Sequence, residues 1–255
     1  MRGTGIHLHV AQDEREQEAT LRRAGLRAIP HLDWIGMLAP DLMAVHLSTA
    51  TTDQVRLVAE REARMSCCSN SIGIIDGVVP PAALNCAVGG LVTLGSDQSA
   101  RNNSLNVFSE MRATAMYVKI PAGSPLPPPA WQVLRMTTID GSTVLGINKR
   151  VGTLETGKEA DIILADLSRP PMAPALLDPA RNLVPNLVYA ESGANVRLRM
   201  VAGSVIYEDG EFAHIDRKAI MKEVAEAARR FEDDISGDPA VLARPIVELT
   251  RSGVI

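Results

Sequence analysis

The chain has few aromatic residues, few cysteines and no excess of positive charge, and each shortage excludes a class of protein. Three phenylalanines, three tyrosines and two tryptophans are spread over 255 residues. The formal net charge is −4, so the chain lacks the basic surface on which nucleic-acid binding depends. Three cysteines, with no CxxC pair, exclude a disulfide scaffold and favour a reducing compartment. We therefore expect no nucleic-acid partner.

Long apolar runs are also lacking. No run approaches the roughly 20 apolar residues that cross a bilayer, and the first residues, MRGTGIHLHV, contain no signal-peptide core. We therefore expect a cytoplasmic protein without a membrane partner. The composition does provide 46% hydrophobic and 22% charged residues, which is enough for one substantial core or two smaller ones.

The first hundred residues alternate short β-rich runs with helical patterns, which is typical of βα units around a parallel sheet. A capping-box pattern at Thr51 and Gln54 marks the start of one of these helices. We predict strands at Ile6–Val10, Leu42–Leu47, Arg64–Cys68 and Leu91–Leu94. We predict helices at Asp13–Ala24, Thr52–Glu62, Pro81–Val88, Leu105–Val118 and Trp131–Leu145.

The period of the pattern changes after about residue 150. A strand is predicted at Ile162–Ala165, and two more strands are predicted about Gly203, followed by a turn at Asp209-Gly210. An amphipathic helix is predicted at Asp216–Ile235. We therefore divide the chain into a barrel-like part at 1–148, a small β domain at 149–213 and a C-terminal helix and tail at 214–255.

Polar residues stand at the carboxyl ends of the predicted parallel strands, where barrel enzymes collect their reactive side chains. Strand alternation places His7 and His9 on one face, away from the apolar residues between them. A single strand histidine is more often a hydrogen-bonded structural residue than a ligand. His46 ends the run LMAVH and Asp97 ends LVTLGSD, so two imidazoles and one carboxylate can converge. This donor set suits Zn²⁺, Fe²⁺ or a related divalent ion.

Two other positions near the strand ends have simpler interpretations. Ser69 and Asn70 follow a predicted strand, and we expect them to cap a local turn rather than to contact a substrate. Glu110 lies on the helix after Asp97, and we expect it to be a structural partner rather than a catalytic group.

Several segments resemble the amidohydrolase superfamily, in its branch of cytosine deaminase-like, S-adenosylhomocysteine deaminase-like and triazine chlorohydrolase enzymes. They include IHLHVAQDEREQEA, LVTLGSDQSARNNSLNVFSEMRA and VGTLETGKEADIILAD, and the most specific parts are GSDQSARNN followed by EMRA, and GTLETGKEADI. The resemblance runs from residue 6 to about residue 230. It implies an α/β fold, the C-terminal half of a (β/α)₈ (TIM) barrel of the metal-dependent hydrolase type, with a small β-sandwich domain beside it.

The resemblance also implies a metal site and a reaction. His9, His46 and Asp97 match metal-site positions, and the metal would be zinc or, as an alternative, iron. His46 would contact the metal-bound water or the substrate, and Asp97 would accept a proton from the water. Gln98 and Arg101 follow Asp97 and are candidates for substrate contact. The implied chemistry is hydroxide attack on an electron-poor carbon of a small-molecule nitrogen heterocycle, with loss of ammonia, an amine or another group.

The sequence departs from the family pattern in two ways. Gln12 stands where the family has a glutamate that transfers protons, and an amide cannot titrate, so we assign Gln12 to substrate binding. The match also begins at the family's fifth strand, so the His-x-His of its first strand is absent. Four parallel strands would leave an open edge. We therefore expect an oligomer or a complementing chain, and a non-catalytic subunit or fragment that binds a partner is the alternative.

Overall fold

A computed structural model describes residues 5–122, 129–236 and 253 of the chain. The chain divides into two compact units, Met1–Ser204 and Val205–Ile255, which are described separately. The predicted division at residues 148 and 213 stays a prediction. The predicted C-terminal tail lies outside the described residues apart from Gly253. Among the helices that the structure describes, none has the length and apolar character needed to cross a membrane.

A parallel sheet forms the centre of the first unit, with its strands in the order β1-β2-β3-β4. The strands are β1 Ile6–Val10, β2 Leu42–His46, β3 Arg64–Cys67 and β4 Val92–Leu94. The predicted strands are confirmed to within one residue at each end. In the register of the first pair, His9 lies opposite Val45 and Val10 opposite His46. The carboxyl ends of β1 and β2 therefore meet at one edge of the sheet.

Helices cover the connections between these strands and the region that follows them. Their bounds are α1 Glu14–Ala24, α2 Ala28–Trp34, α3 Thr52–Glu60, α4 Ser69–Ile75, α5 Ala82–Ala87, α6 Ser99–Asn102, α7 Val107–Tyr117, α8 Lys119–Ala122, α9 Ala130–Thr137, α10 Ile139–Val144 and α11 Leu183–Tyr189. The single helix predicted at Trp131–Leu145 is wrong. Thr138 leaves the helical conformation, with φ −121° and ψ −103°, and separates α9 from α10.

Local sequence signals set the ends of these helices. At the start of α1, the side chain of Asp13 accepts a hydrogen bond from the backbone N–H of Glu16 at 2.8 Å. Gly25 ends α1 with φ 74°, a conformation that glycine adopts without strain. Thr51 and Gln54 form both hydrogen bonds of the predicted capping box at α3.

The core of the first unit lies between the sheet and its helices. Buried residues of all four strands pack there against α2 and α3, among them Leu42 and Met65 of the sheet and Ile29 of α2. Each of these three side chains is fully buried, which stabilises the fold by about 1.5–3 kcal/mol per residue. His7 and His9 are exposed on the other face of β1, as the alternation predicts.

Antiparallel strands follow the helical region. In the first unit, β5 Ile162–Ala165 pairs with β6 Val196–Val201. The next strands, β7 Ser204–Glu208 and β8 Glu211–Phe212, also pair with each other. Asp209 and Gly210 join them with φ 45° and 102°, as a primed hairpin turn requires, so the predicted turn is confirmed. The helix α12, Arg217–Ser236, follows in the second unit and has no buried residue.

Candidate functional site

The imidazoles of His9 and His46 meet at the carboxyl edge of the parallel sheet. His9 Nδ1 lies 3.1 Å from His46 Nε2, and the rings meet edge to face with their centroids 4.6 Å apart. The His46 side chain is fully buried, whereas His9 is exposed. The structure therefore brings together two of the three predicted metal ligands, although they are 37 residues apart in the sequence.

Left-handed backbone conformations are concentrated at the same edge. Ala11, His46, Leu47 and Asp97 follow or end strands of the sheet and have φ of 52°, 79°, 55° and 58°. Such conformations cost non-glycine residues about 1–3 kcal/mol each and persist only where the surrounding structure imposes them. Clustered strain of this kind is typical of functional sites, and here it coincides with the carboxyl ends of parallel strands.

The carboxylate of Asp97 is held by hydrogen bonds to both of its oxygens. Ser71 Oγ donates to Oδ2 at 2.7 Å, and the backbone N–H of Gln98 donates to Oδ1 at 2.7 Å. Burial by itself would raise the pKa of Asp97, but these hydrogen bonds and the charges of His46 and His9 lower it below its ordinary value. Asp97 is therefore an anion at neutral pH, in electrostatic contact with both imidazoles.

The separation of the two imidazole nitrogens suits two ligands of one metal ion, but the described residues do not provide a full set of ligands. Two ligands of a tetrahedral zinc ion are about 3.3 Å apart when each zinc–nitrogen bond is about 2.0 Å. The His9–His46 nitrogen separation of 3.1 Å is close to that value. The described residues contain no group of three histidine, cysteine, aspartate or glutamate side chains that could hold an ion. In the described residues Asp97 is in electrostatic contact with the imidazole pair, and its predicted part as a third ligand stays a prediction.

Two buried cysteines lie at the carboxyl end of β3. Cys67 ends β3 and Cys68 follows it at the same edge of the sheet. Burial raises the pKa of both thiols to about 12. Since a thiol binds metal as the thiolate, these two buried side chains are typical of core residues.

Gln12 faces a carboxylate that sequence reasoning missed. Its Nε2 donates to Asp76 Oδ2 at 3.3 Å, while its backbone N–H and that of Ala11 donate to the carboxylate of Glu16, both at 2.9 Å. Asp76 follows α4 and is 64 residues from Gln12, so only the fold brings them together. No local sequence signal identifies such a pair.

The other predicted contacts divide into two groups. Gln98 is exposed and precedes α6, and Arg101 lies on α6, although the side chain of Arg101 is outside the described residues. Their substrate contacts stay predictions.

The predicted capping role of Asn70 is wrong. The residue before α4, Cys68, makes no side-chain capping hydrogen bond, and Asn70 Nδ2 donates to Ser109 Oγ and to Glu110 Oε1, both at 2.9 Å. Glu110 is fully buried, as expected for a structural residue.

Fold and site together define an α/β protein with imidazole and carboxylate groups at the carboxyl edge of a parallel sheet. The chain belongs to the amidohydrolase family, whose sequence pattern matches residues 1–206. The recognition made from its motifs is therefore confirmed.

Curated relatives cover nearly the whole chain. It is 33% identical over 223 residues to the 5-methylthioadenosine/S-adenosylhomocysteine deaminase of Moorella thermoacetica, covering 87% of this chain and 51% of the relative. It is 32% identical over 229 residues to the 5'-deoxyadenosine deaminase of Methanosarcina acetivorans, covering 89% of this chain and 51% of the relative. The chain thus spans about half the length of these relatives.

Two solved structures are similar to this chain over most of its length. An adenosine deaminase from Xanthomonas campestris with bound zinc superposes with a TM-score of 0.84 and 28% identity, over 90% of this chain and 51% of that one. Atrazine chlorohydrolase from Arthrobacter aurescens, complexed with zinc, has a TM-score of 0.78 and 19% identity, over 88% and 48% of the two chains. The second similarity concerns the fold alone.

Proposed function

We propose that this chain is the C-terminal part of a metal-dependent hydrolase that removes an amino group from a nitrogen heterocycle, with adenosine-type nucleosides as the first substrates to test. The observation that carries the proposal is the His9–His46 pair, whose nitrogens are 3.1 Å apart, beside the ionised Asp97. The names of the relatives, deaminases of 5-methylthioadenosine, S-adenosylhomocysteine and 5'-deoxyadenosine, support the substrate class.

In this proposal the side chains at the sheet edge have distinct tasks. His9 and His46 hold a divalent ion with the help of Asp97, and zinc is preferred over iron because the similar adenosine deaminase structure contains zinc. When bound, such an ion lowers the pKa of water to about 7 and so makes hydroxide available at neutral pH. Asp97 accepts the proton at its carboxylate, and His46 hydrogen-bonds to the water or the substrate.

Gln12, Gln98 and Arg101 complete the proposed site as substrate-binding residues. The amide of Gln12 donates and accepts hydrogen bonds but transfers no proton, so it orients the heterocycle. The carboxylate of Asp76 accepts a hydrogen bond from the Gln12 amide at 3.3 Å.

The proposed assembly includes a second chain. In the described part of the molecule, β1 pairs only with β2 and β4 only with β3, so both edge strands of the parallel sheet lack an outer neighbour there. The chain spans 51% of the relatives' length. We propose that these four strands are half of a (β/α)₈ barrel beside a small β-sandwich, and that a complementing chain or a second copy supplies the remaining strands and ligands.

Metal content tests this function directly. The protein is loaded with Zn²⁺, dialysed and analysed by plasma mass spectrometry, alongside His9→Ala and His46→Ala. The exposed His214 of the second unit provides the matched control His214→Ala. We expect stoichiometric zinc in the wild type and in His214→Ala, and loss of zinc in the other two variants. Equal zinc in all four proteins contradicts the proposed site, as does a wild type that holds no zinc even when it is mixed with a complementing N-terminal half.

A non-catalytic subunit or fragment is the second candidate function. It is favoured by the lack of a three-ligand group in the described residues and by the amide at position 12. Ultraviolet assays of adenosine and 5'-deoxyadenosine deamination, with the zinc-loaded protein alone and with a complementing N-terminal half, separate the two candidates. Turnover that requires His9 supports the hydrolase. Partner binding without zinc or turnover supports the subunit.

A further inference from the structure

We infer that Glu110 is a positioning residue for Asp97, an inference that rests on the proposed metal-dependent function. Glu110 lies on α7, is fully buried and accepts three hydrogen bonds. Its Oε2 accepts from the backbone N–H of Asn70 at 3.2 Å. Its Oε1 accepts from Asn70 Nδ2 at 2.9 Å and from Asn102 Nδ2 at 2.6 Å. The carboxylate therefore fixes residues of two separate segments.

Each of these segments holds Asp97. Asn70 precedes Ser71 on α4, and Ser71 Oγ donates to Asp97 Oδ2 at 2.7 Å. Asn102 Nδ2 also donates to the backbone carbonyl of Ser96, the residue before Asp97. Glu110 is thus connected to the side chain of Asp97 through α4 and to its backbone through α6.

The backbone of Asp97 needs such support. Its φ of 58° lies in the left-handed region, which costs a non-glycine residue about 1–3 kcal/mol unless the surroundings impose it. Small displacements of a metal-site carboxylate matter, since residues that orient ligands typically change metal affinity by about 10–100-fold. Fixing Asp97 is therefore a functional task as well as a structural one.

A glutamine cannot replace the carboxylate here. The three partners of Glu110 are all N–H donors, and the carboxylate accepts on both oxygens. In Glu110→Gln one of the two positions becomes an NH₂ group that faces a buried donor in either orientation of the amide. At least one hydrogen bond is lost, and α4 or α6 must move away from Glu110.

Glu191 provides a matched control for a purely structural role. It is also buried, with 3% of its surface exposed. Its carboxylate likewise accepts from an asparagine side chain, Asn195 Nδ2 at 2.8 Å, and from the backbone N–H of Gly193 at 2.7 Å. These partners belong to the turn before β6 rather than to the segments that hold Asp97. Glu191→Gln should therefore perturb the fold without moving Asp97.

The experiment compares Glu110→Gln and Glu191→Gln in the full chain. Zinc affinity is measured by competition with a chromophoric chelator, and the absorption spectrum of bound Co²⁺ reports the ligand geometry. We expect Glu110→Gln to weaken zinc binding about 10–100-fold and to alter the Co²⁺ spectrum. Glu191→Gln should change neither, even if both variants lose thermal stability. Wild-type affinity and spectrum in Glu110→Gln, or equal weakening in both variants, overturns the inference.

Two further measurements keep the test decisive. If Glu110→Gln does not fold, Asn70→Ala removes one of the three donors, the side-chain Nδ2, and should weaken zinc binding in the same direction. If the wild type binds no zinc even with a complementing N-terminal half, the proposed function fails, and the amide resonance of Gln98 tests Glu110 by itself, because this N–H is bonded to Asp97. That resonance should shift in Glu110→Gln and not in Glu191→Gln. An unshifted resonance contradicts the positioning role.

Discussion

Gln12, which follows β1, places an uncharged amide against the carboxylate of Asp76. As an amide, Gln12 donates to the Asp76 carboxylate at 3.3 Å, whereas a glutamate in its place would put two negative charges in contact. The amide at position 12 is therefore matched to a specific neighbour.

We predict that Gln12→Glu destabilises the protein by about 1 kcal/mol at pH 7, because a hydrogen bond is replaced by repulsion between carboxylates. Urea unfolding at pH 7 measures the difference. In the double variant Gln12→Glu/Asp76→Asn, the amide at position 76 can donate to the carboxylate at position 12. We expect this variant to regain the wild-type free energy of unfolding at pH 7. Equal stability of Gln12→Glu and wild type at pH 7 would refute the pairing.

At the scale of single elements, the turn between α11 and β6 depends on one carboxylate. Glu191 accepts hydrogen bonds from the backbone N–H groups of Ser192 and Gly193 at 3.0 and 2.7 Å. Burial alone would raise the pKa of Glu191, but the hydrogen bonds from Asn195, Gly193 and Ser192 lower it below its ordinary value. The ionised form is therefore the one that the folded turn stabilises.

The sign of the pH dependence follows from this lowered pKa. The stabilisation by Glu191 is present above the pKa of an unfolded glutamate, about 4.3, and is lost as the pH falls through the lower folded value. We predict that Glu191→Gln costs about 1–3 kcal/mol of unfolding free energy at pH 7 and progressively less below pH 4. Chemical denaturation across this range checks it. A cost that stays constant with pH would mean that the carboxylate charge has no part in the turn.

Elements with local causes could be predicted from the sequence. The capping box at Thr51, the alternation around His9 and the turn at Asp209-Gly210 are all confirmed, because each depends on neighbouring residues. The break at Thr138 could not be predicted, since the apolar period continues through it. The Asn70–Glu110 contact joins residues 40 positions apart, and one sequence carries no signal for such a pair.

At the scale of the whole molecule, β1 and β4 are the edge strands of the parallel sheet in the described residues. The face of β1 that carries His7 and His9 is exposed, and in the described residues β1 and β4 each pair on one side only. Open strands of this kind expose backbone hydrogen-bonding groups and favour association. This chain covers 51% of the Moorella thermoacetica relative, so the uncovered part of that relative is about as long as this chain. A segment of that length is what would cover the edge strands.

We predict that the purified chain either self-associates above its monomer mass of 27.3 kDa or, as a monomer, binds a hydrophobic dye. Light scattering after size exclusion and dye fluorescence measure the two outcomes. Adding the N-terminal half of the Moorella thermoacetica relative should produce a one-to-one complex and reduce the dye signal, because the added strands cover the sheet edges.

The exposed Trp34 on α2 offers a competing explanation, since an exposed aromatic side chain also binds dye and promotes association. Trp34→Ser separates the two causes. If the sheet edges are responsible, this variant keeps the association and still responds to the added half. If Trp34→Ser abolishes both effects, the association is through α2. A wild-type chain that stays monomeric and binds no dye would show that its strands need no partner, and the half-barrel proposal would then fail.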